Sequence, residues 1–305
     1  MRQFYFHALH NGGFHRIAYT EWGDAENPHV VVCVHGLARN SRDFDALAAA
    51  LSADCRVVCM DVVGRGESDW LDNKSEYSFS TYQSDAAAML ARAGAPVPGN
   101  LLQRLRGHDK HRLDWVGTSM GGLIGMFLAA KRNSPIRRLV LNDVGALIPW
   151  SALFRMKGYI RRGRRFTSVA KVEAYLREVC APFGPLTDEQ WHHLARHGAR
   201  QSEDGAYVLR YDPAIADGLH GHIDREFPMG PDVLRGIDLW NVWSKLTCPV
   251  LVLRGAQSEV LLPKTLQEMR KRKPDVEIVE FEGAGHAPAL MSEEQIAVVK
   301  KFLLK

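Results

Sequence analysis

An α/β architecture is what this sequence predicts: a mostly parallel central sheet with helices on both faces and an inserted helical cap. Three observations point there. Short, continuously apolar runs bounded by loops, such as Val30-Val31-Val32-Cys33-Val34 and Val57-Val58-Cys59-Met60, read as strands buried on both faces. Helical patterns separate them. Between about residues 147 and 245 this alternation stops, and afterwards it resumes on the same plan.

In chain order, the strand at 30–34 is followed by a loop and a helical pattern around 44–51. The strand at 56–60 leads to a helix over 81–92. Leu113-Asp114-Trp115-Val116 alternates like a short strand before an apolar helix over 122–130, and Arg138-Leu139-Val140-Leu141-Asn142 follows. After the interruption come a strand at 249–253, a helix over 264–272, a strand at 276–281 and a closing helix over 293–304. Pro96, Pro98 and Gly99 make the 95–111 stretch a loop insertion. The expected organisation is therefore a core domain from 1–145 and 246–305, with 146–245 as the cap. The cap is helical or irregular, rich in aromatics and basic residues, and without β-alternation.

Composition sets limits on partners. The chain has 305 residues, 46% hydrophobic and 24% charged, as in an ordinary globular protein. A net charge of +4 gives no case for nucleic-acid binding. No apolar run approaches the roughly 20 residues of a membrane helix, and the first seven residues lack the apolar core of a signal peptide. Five cysteines, an odd number without zinc-site spacing, read as buried thiols in a reducing compartment. The expectation is a cytoplasmic protein with no metal, no organic cofactor, and no nucleic-acid or membrane partner. Oligomeric state is left open.

Gly117-Thr118-Ser119-Met120-Gly121 carries the chemistry, because it sets a serine where strand turns abruptly into helix. Small residues two places on either side let strand and helix approach closely while the hydroxyl is pushed into a cleft. A serine hydroxyl needs a base to take its proton. Among thirteen histidines, His286 stands out in a glycine-lined loop, Gly283-Ala284-Gly285-His286, after the last strand and at the same carboxyl edge of the sheet. His35-Gly36-Leu37 follows the strand ending at Val34. Gly36 lets backbone N–H groups face the serine, so Leu37 and Met120 are the candidate oxyanion donors. His35 and Gly36 are expected beside the substrate, His35 as a structural rather than a catalytic group.

Together these residues resemble the α/β-hydrolase superfamily over nearly the whole chain, with Asp61-Val62-Val63-Gly64-Arg65-Gly66-Glu67-Ser68 matching a recurrent structural turn of that fold. The resemblance implies an α/β-hydrolase fold. It also implies a catalytic acid, and here the sequence departs from the commonest pattern. Ser258 stands after the 249–253 strand where most members carry an aspartate. A subset of such hydrolases takes the acid from the end of the sixth strand, which here is Asp143, 24 residues beyond Ser119. Glu259 is the alternative acid, shifted one residue from the usual place. Relatives that open epoxides or remove halides carry an aspartate at the elbow, so Ser119 points instead to acyl transfer.

The expected function is a serine hydrolase that cleaves carboxylic esters or thioesters through an acyl-enzyme. The alternatives are a carbon–carbon bond hydrolase of aromatic degradation and a non-catalytic ligand receptor on the same fold. A small-molecule ester is the expected partner. Cap aromatics are candidates to line its pocket: Trp150 and Phe154 foremost, then Tyr159, Phe166, Tyr175, Phe183 and Trp191. The basic run from Arg155 and Lys157 through Arg161, Arg162, Arg164 and Arg165 reads as a solvated helix face or as capture of an anionic substrate.

Overall fold

The computed structural model describes residues 1–94, 112–160, 163–216 and 230–305, with only the backbone of 156–160. The 95–111 stretch, expected as a loop insertion, lies outside the described residues. Eight strands form the central sheet: β1 (Arg2–His10), β2 (Gly13–Trp22), β3 (His29–Val34), β4 (Arg56–Met60), β5 (Arg112–Thr118), β6 (Ile136–Asn142), β12 (Val250–Gly255) and β13 (Glu277–Phe281). Their order is β1-β2-β4-β3-β5-β6-β12-β13. From β4 to β13 every pairing is parallel; β1, β2 and β4 pair antiparallel. The β1–β2 hairpin turns through Asn11-Gly12, a local hairpin signal that the apolar-run criterion passes over because one face of β1 is exposed.

The strands are apolar on both faces because both faces are covered. Val30, Val32 and Val34 of β3 join one core with Met89 of α2 (Phe79–Ala93) and Ile124 of α3 (Met120–Ala129). Their neighbours Val31 and Cys33 point the other way, into a core with Leu47 and Leu51 of α1 (Asp45–Leu51) and Phe302 of α9 (Glu293–Leu303). The period-two alternation thus persists in space while vanishing from the polarity pattern. Helices start where side chains can accept orphan amides: Ser78 accepts from the Thr81 N–H and Ser292 from the Gln295 N–H.

Between β6 and β12 the chain runs through β7 (Leu147–Pro149), α4 (Trp150–Ile160), β8 (Arg165–Phe166), α5 (Val169–Val179), α6 (Asp188–Gly198), β9 (Ala199–Gln201), β10 (Tyr207–Leu209), β11 (Gly236–Asp238) and α7 (Trp240–Trp243). α8 (Pro263–Arg272) then links β12 to β13. The expectation of a segment without strands is corrected here. β7 pairs with β11, and β8, β10 and β9 form a three-stranded sheet. Strands of two or three residues are too short to show a period of two in sequence. Phe166, Val172, Leu176, Trp191 and Leu194 pack in a hydrophobic cluster separate from the two sheet cores. Asp212 docks this segment onto the core: its N–H donates to the Gly64 carbonyl (2.8 Å), and its carboxylate accepts from the Tyr77 hydroxyl (2.8 Å). No helix among the described residues is long and apolar enough to cross a membrane.

Candidate active site

Ser119 sits between β5 and α3 with φ 52° and ψ −114°, a strained left-handed conformation that lifts its side chain off the sheet edge. The turn is possible because of its flanking glycines. A Cβ on Gly121 would lie 1.9 Å from the Val34 carbonyl oxygen, and one on Gly117 would lie 2.3 Å from the Gly121 carbonyl. Both obstacles are backbone and cannot swing aside. Gly121→Ala is therefore expected to abolish soluble folded protein or lower Tm by about 10 °C or more, measured by expression yield and thermal melting; a melt like the wild type's would contradict this close approach.

The ends of β6 and β12 and the loop after β13 converge on the serine. His286 Nε2 accepts from the Ser119 hydroxyl at 2.8 Å, and its Nδ1–H donates to Asp143 Oδ2 at 2.7 Å. Asp143 is fully buried at the end of β6, where φ is 56°. Its Oδ1 accepts the Gly255 N–H at 2.9 Å, and its Oδ2 accepts the Ser258 hydroxyl at 2.5 Å. Ser258 is itself fixed by the Val260 and Leu261 N–H groups. Glu259, the alternative acid, faces solvent and pairs with Arg155 at 2.5 Å, away from His286.

The structure places Leu37 on the wall of a cavity next to Ser119. No acceptor among the described residues takes the N–H of Leu37 or of Met120, as an oxyanion site requires. His35 departs from the expectation of a substrate contact. It is fully buried, with Nδ1–H donating to the Gly36 carbonyl (2.7 Å) and Nε2 accepting the Val62 N–H (3.0 Å). Both nitrogens are spent on backbone, and burial pushes its pKa down to about 4, so it stays neutral. It braces the peptide whose N–H belongs to Leu37. Gly36 itself does line the cavity.

The cavity measures about 170 Å³, and its walls include Leu37, Arg39, Tyr175, Leu176 and Phe183 beside Ser119. Of the expected aromatics, Tyr175 and Phe183 reach it. Trp150 instead donates its indole N–H to the Val233 carbonyl (2.8 Å), and Phe154 is 63% exposed. Neither lines the cavity, because α4 packs beside the β7–β11 ribbon. Phe166 and Trp191 serve the insertion's own core. The side chain of Tyr159 lies outside the described residues, as do Lys157, Arg161 and Arg162. Of the basic run, Arg165 pairs with Asp204 and Arg164 stacks on the Tyr175 ring, its guanidinium 4.8 Å from the centroid.

Asn142 was not singled out by sequence. Its buried amide donates to Thr118 Oγ1 (3.1 Å) and to the Pro288 carbonyl (2.8 Å), tying the serine strand to the histidine loop. Its only local signal is a polar residue ending an apolar strand. Among the described residues, Asp45, His193 and His197 offer ligand atoms within 4.8 Å of one another. Arg42 already fills that place, bonding the Asp45 carboxylate and His197 Nδ1 (3.0 Å), so the cluster ties α6 to the core.

Residues 31–299 match the model of the Alpha/beta hydrolase family. The chain belongs to the α/β-hydrolase family. It is 41% identical over 293 residues to a 3-hydroxybutyrate-oligomer hydrolase of Cupriavidus necator, covering 95% of this chain and 93% of that protein. It is 23% identical to a pimeloyl-[acyl-carrier protein] methyl ester esterase of Neisseria meningitidis, covering 88% and 74%. A crystal structure of an α/β hydrolase from Novosphingobium aromaticivorans superposes with a TM-score of 0.80 at 32% identity, over 99% of this chain and 98% of that one. This α/β hydrolase thus shares sheet and topology with enzymes of several substrates, and its own substrate has to be argued from its cavity.

Proposed function

We propose that this hydrolase cleaves short carboxylic esters through an acyl-enzyme on Ser119, with residues 146–245 acting as the cap over the site. The observation that carries this reading is the unbroken hydrogen-bond chain from Ser119 through His286 to Asp143, opening on a small, mostly apolar cavity. His286 takes the serine proton as Oγ attacks the carbonyl carbon. Asp143 holds the ring in the tautomer that keeps Nε2 free and stabilises the imidazolium that forms. The N–H groups of Leu37 and Met120 receive the oxyanion, each worth about 3–4 kcal/mol in the transition state. His286 returns the proton to the departing alkoxide. Water then repeats the sequence and frees the acid, so no cofactor is consumed.

The relative from Cupriavidus necator acts on 3-hydroxybutyrate oligomers, and an ester of short hydroxyacyl units suits a cavity of about 170 Å³. Drug-sized sites span roughly 300–1,000 Å³. A p-nitrophenyl ester series should therefore peak at acetate to butyrate, with kcat/KM for octanoate lower by about tenfold or more. An optimum at octanoate would refute the short-acyl assignment. Failure to turn over any ester would refute ester hydrolysis and return weight to a carbon–carbon hydrolase or a receptor.

A further inference from the structure

Among the described residues lining the cavity, Arg39 is the one with a permanent charge. Its N–H closes a turn onto the Gly36 carbonyl (3.2 Å). Ser119 Cβ and Arg39 Cγ both lie within 4 Å of the point where a side chain on Gly36 would begin. Asp43 holds one edge of the guanidinium, accepting from Nε at 2.8 Å and from Nη2 at 2.6 Å. Phe183 covers it, with the ring centroid 5.7 Å from Cζ. The side chain is only 13% exposed. Cys180 and Tyr211 stand on the same cavity wall.

This leaves Nη1 with two N–H donors and no acceptor among the described residues. A charged donor that stays accessible on a side chain otherwise held in place can be met by a carboxylate with a charge-assisted bond. Asp43 fixes the plane of the fork, so little ordering is left for the ligand to impose. The rest of the wall is apolar or neutral, which makes Arg39 the feature that separates an anionic ester from a neutral one of the same shape.

We infer that Arg39 binds the free carboxylate of a short hydroxyacid oligomer, so that the enzyme removes the acid-terminal unit. The inference rests on the ester-hydrolase reading above. In a chain of ester-linked hydroxyacids, the free carboxylate lies on the unit whose hydroxyl is esterified, the alcohol side of the last ester. Holding that carboxylate beside Ser119 presents the last ester to the nucleophile. The serine–acyl bond forms, the ester C–O bond breaks, and the leaving hydroxyl takes its proton from His286. One hydroxyacid departs, and water releases the shortened oligomer with a new carboxylate for the next round.

The test compares the 3-hydroxybutyrate dimer as free acid with its methyl ester. Wild type should favour the acid by about tenfold or more in kcat/KM, chiefly through KM. Arg39→Gln should bring the acid-to-ester ratio close to one, and Arg39→Lys should retain part of it. Early products from the tetramer should be monomer and trimer rather than two dimers, with the methyl-blocked tetramer consumed more slowly. A wild type that takes the methyl ester as readily as the acid overturns the inference without any variant. So does Arg39→Gln that keeps the wild-type ratio. Turnover of p-nitrophenyl butyrate by the same wild-type sample keeps the ester-hydrolase reading standing in either case; its absence, with no covalent labelling by a fluorophosphonate, removes both.

Discussion

Ser119→Ala is expected to lower kcat on p-nitrophenyl butyrate by about 10⁴- to 10⁶-fold while leaving the thermal melt unchanged. The size of the loss follows from the chemistry: without Oγ there is no acyl-enzyme, and His286 has nothing to activate but stray water. The residual rate is what the free N–H groups of Leu37 and Met120 and substrate binding still contribute. Stability holds because Oγ makes its hydrogen bond to the partly buried His286 ring, and because alanine meets the same backbone strain at φ 52° as serine does. The change in unfolding free energy should stay within about 0.5 kcal/mol. A fluorophosphonate should add its mass to wild type at Ser119 and not to the variant. Retention of a tenth of the activity, or labelling elsewhere, would remove Ser119 as nucleophile.

How much of this was legible in the sequence follows from how local each signal is. The elbow is written in five consecutive residues: the need for glycine at 117 arises within one strand–turn–helix, from the Gly121 backbone, whereas the need at 121 comes from the Val34 carbonyl on the neighbouring β3. The parallel sheet is legible from β3 and β4, since burial on both faces leaves continuous apolar runs. Arg39 is the opposite case. Nothing near it in sequence says that Phe183 and Tyr211, more than a hundred residues away, will fold over it and make its charge a feature of the cavity wall. The same holds for Trp150 and Phe154: aromatic content is visible, but which aromatics face the serine depends on how the insertion packs. His35 was legible as a loop residue after β3, yet its buried bond to the Val62 N–H depends on the pairing of β3 with β4.

The acid shows the same limit and allows a sharper experiment. Position favours Asp143 over Glu259, which is shifted one residue from the usual place, but what brings the acid to the histidine is the register of β6 against β12. That register pairs Asn142 with Leu253, which brings Asp143 alongside Gly255 and Ser258. Asp143→Asn keeps the shape but replaces an acceptor oxygen with a donor amide or a weaker carbonyl. The imidazole is then free to present the wrong tautomer, and kcat should fall by about 10⁴-fold. Glu259→Gln loses only an exposed ion pair with Arg155 and should leave kcat within about twofold. Ser258 bonds the very oxygen of Asp143 that holds His286, so a carboxylate at 258 comes within reach of the same ring nitrogen. Ser258→Asp in the wild type would set two carboxylates against each other in a buried site and should destabilise it. In the Asp143→Asn background that repulsion is gone, and Ser258→Asp should recover about tenfold or more of the lost kcat. Melting curves of all four proteins separate a lost acid from a lost fold. If Glu259→Gln alone abolished turnover, or if Asp143→Asn stayed fully active with an unchanged melt, the acid would not be Asp143, and the bonds it makes with Gly255, Ser258 and His286 would be structural only.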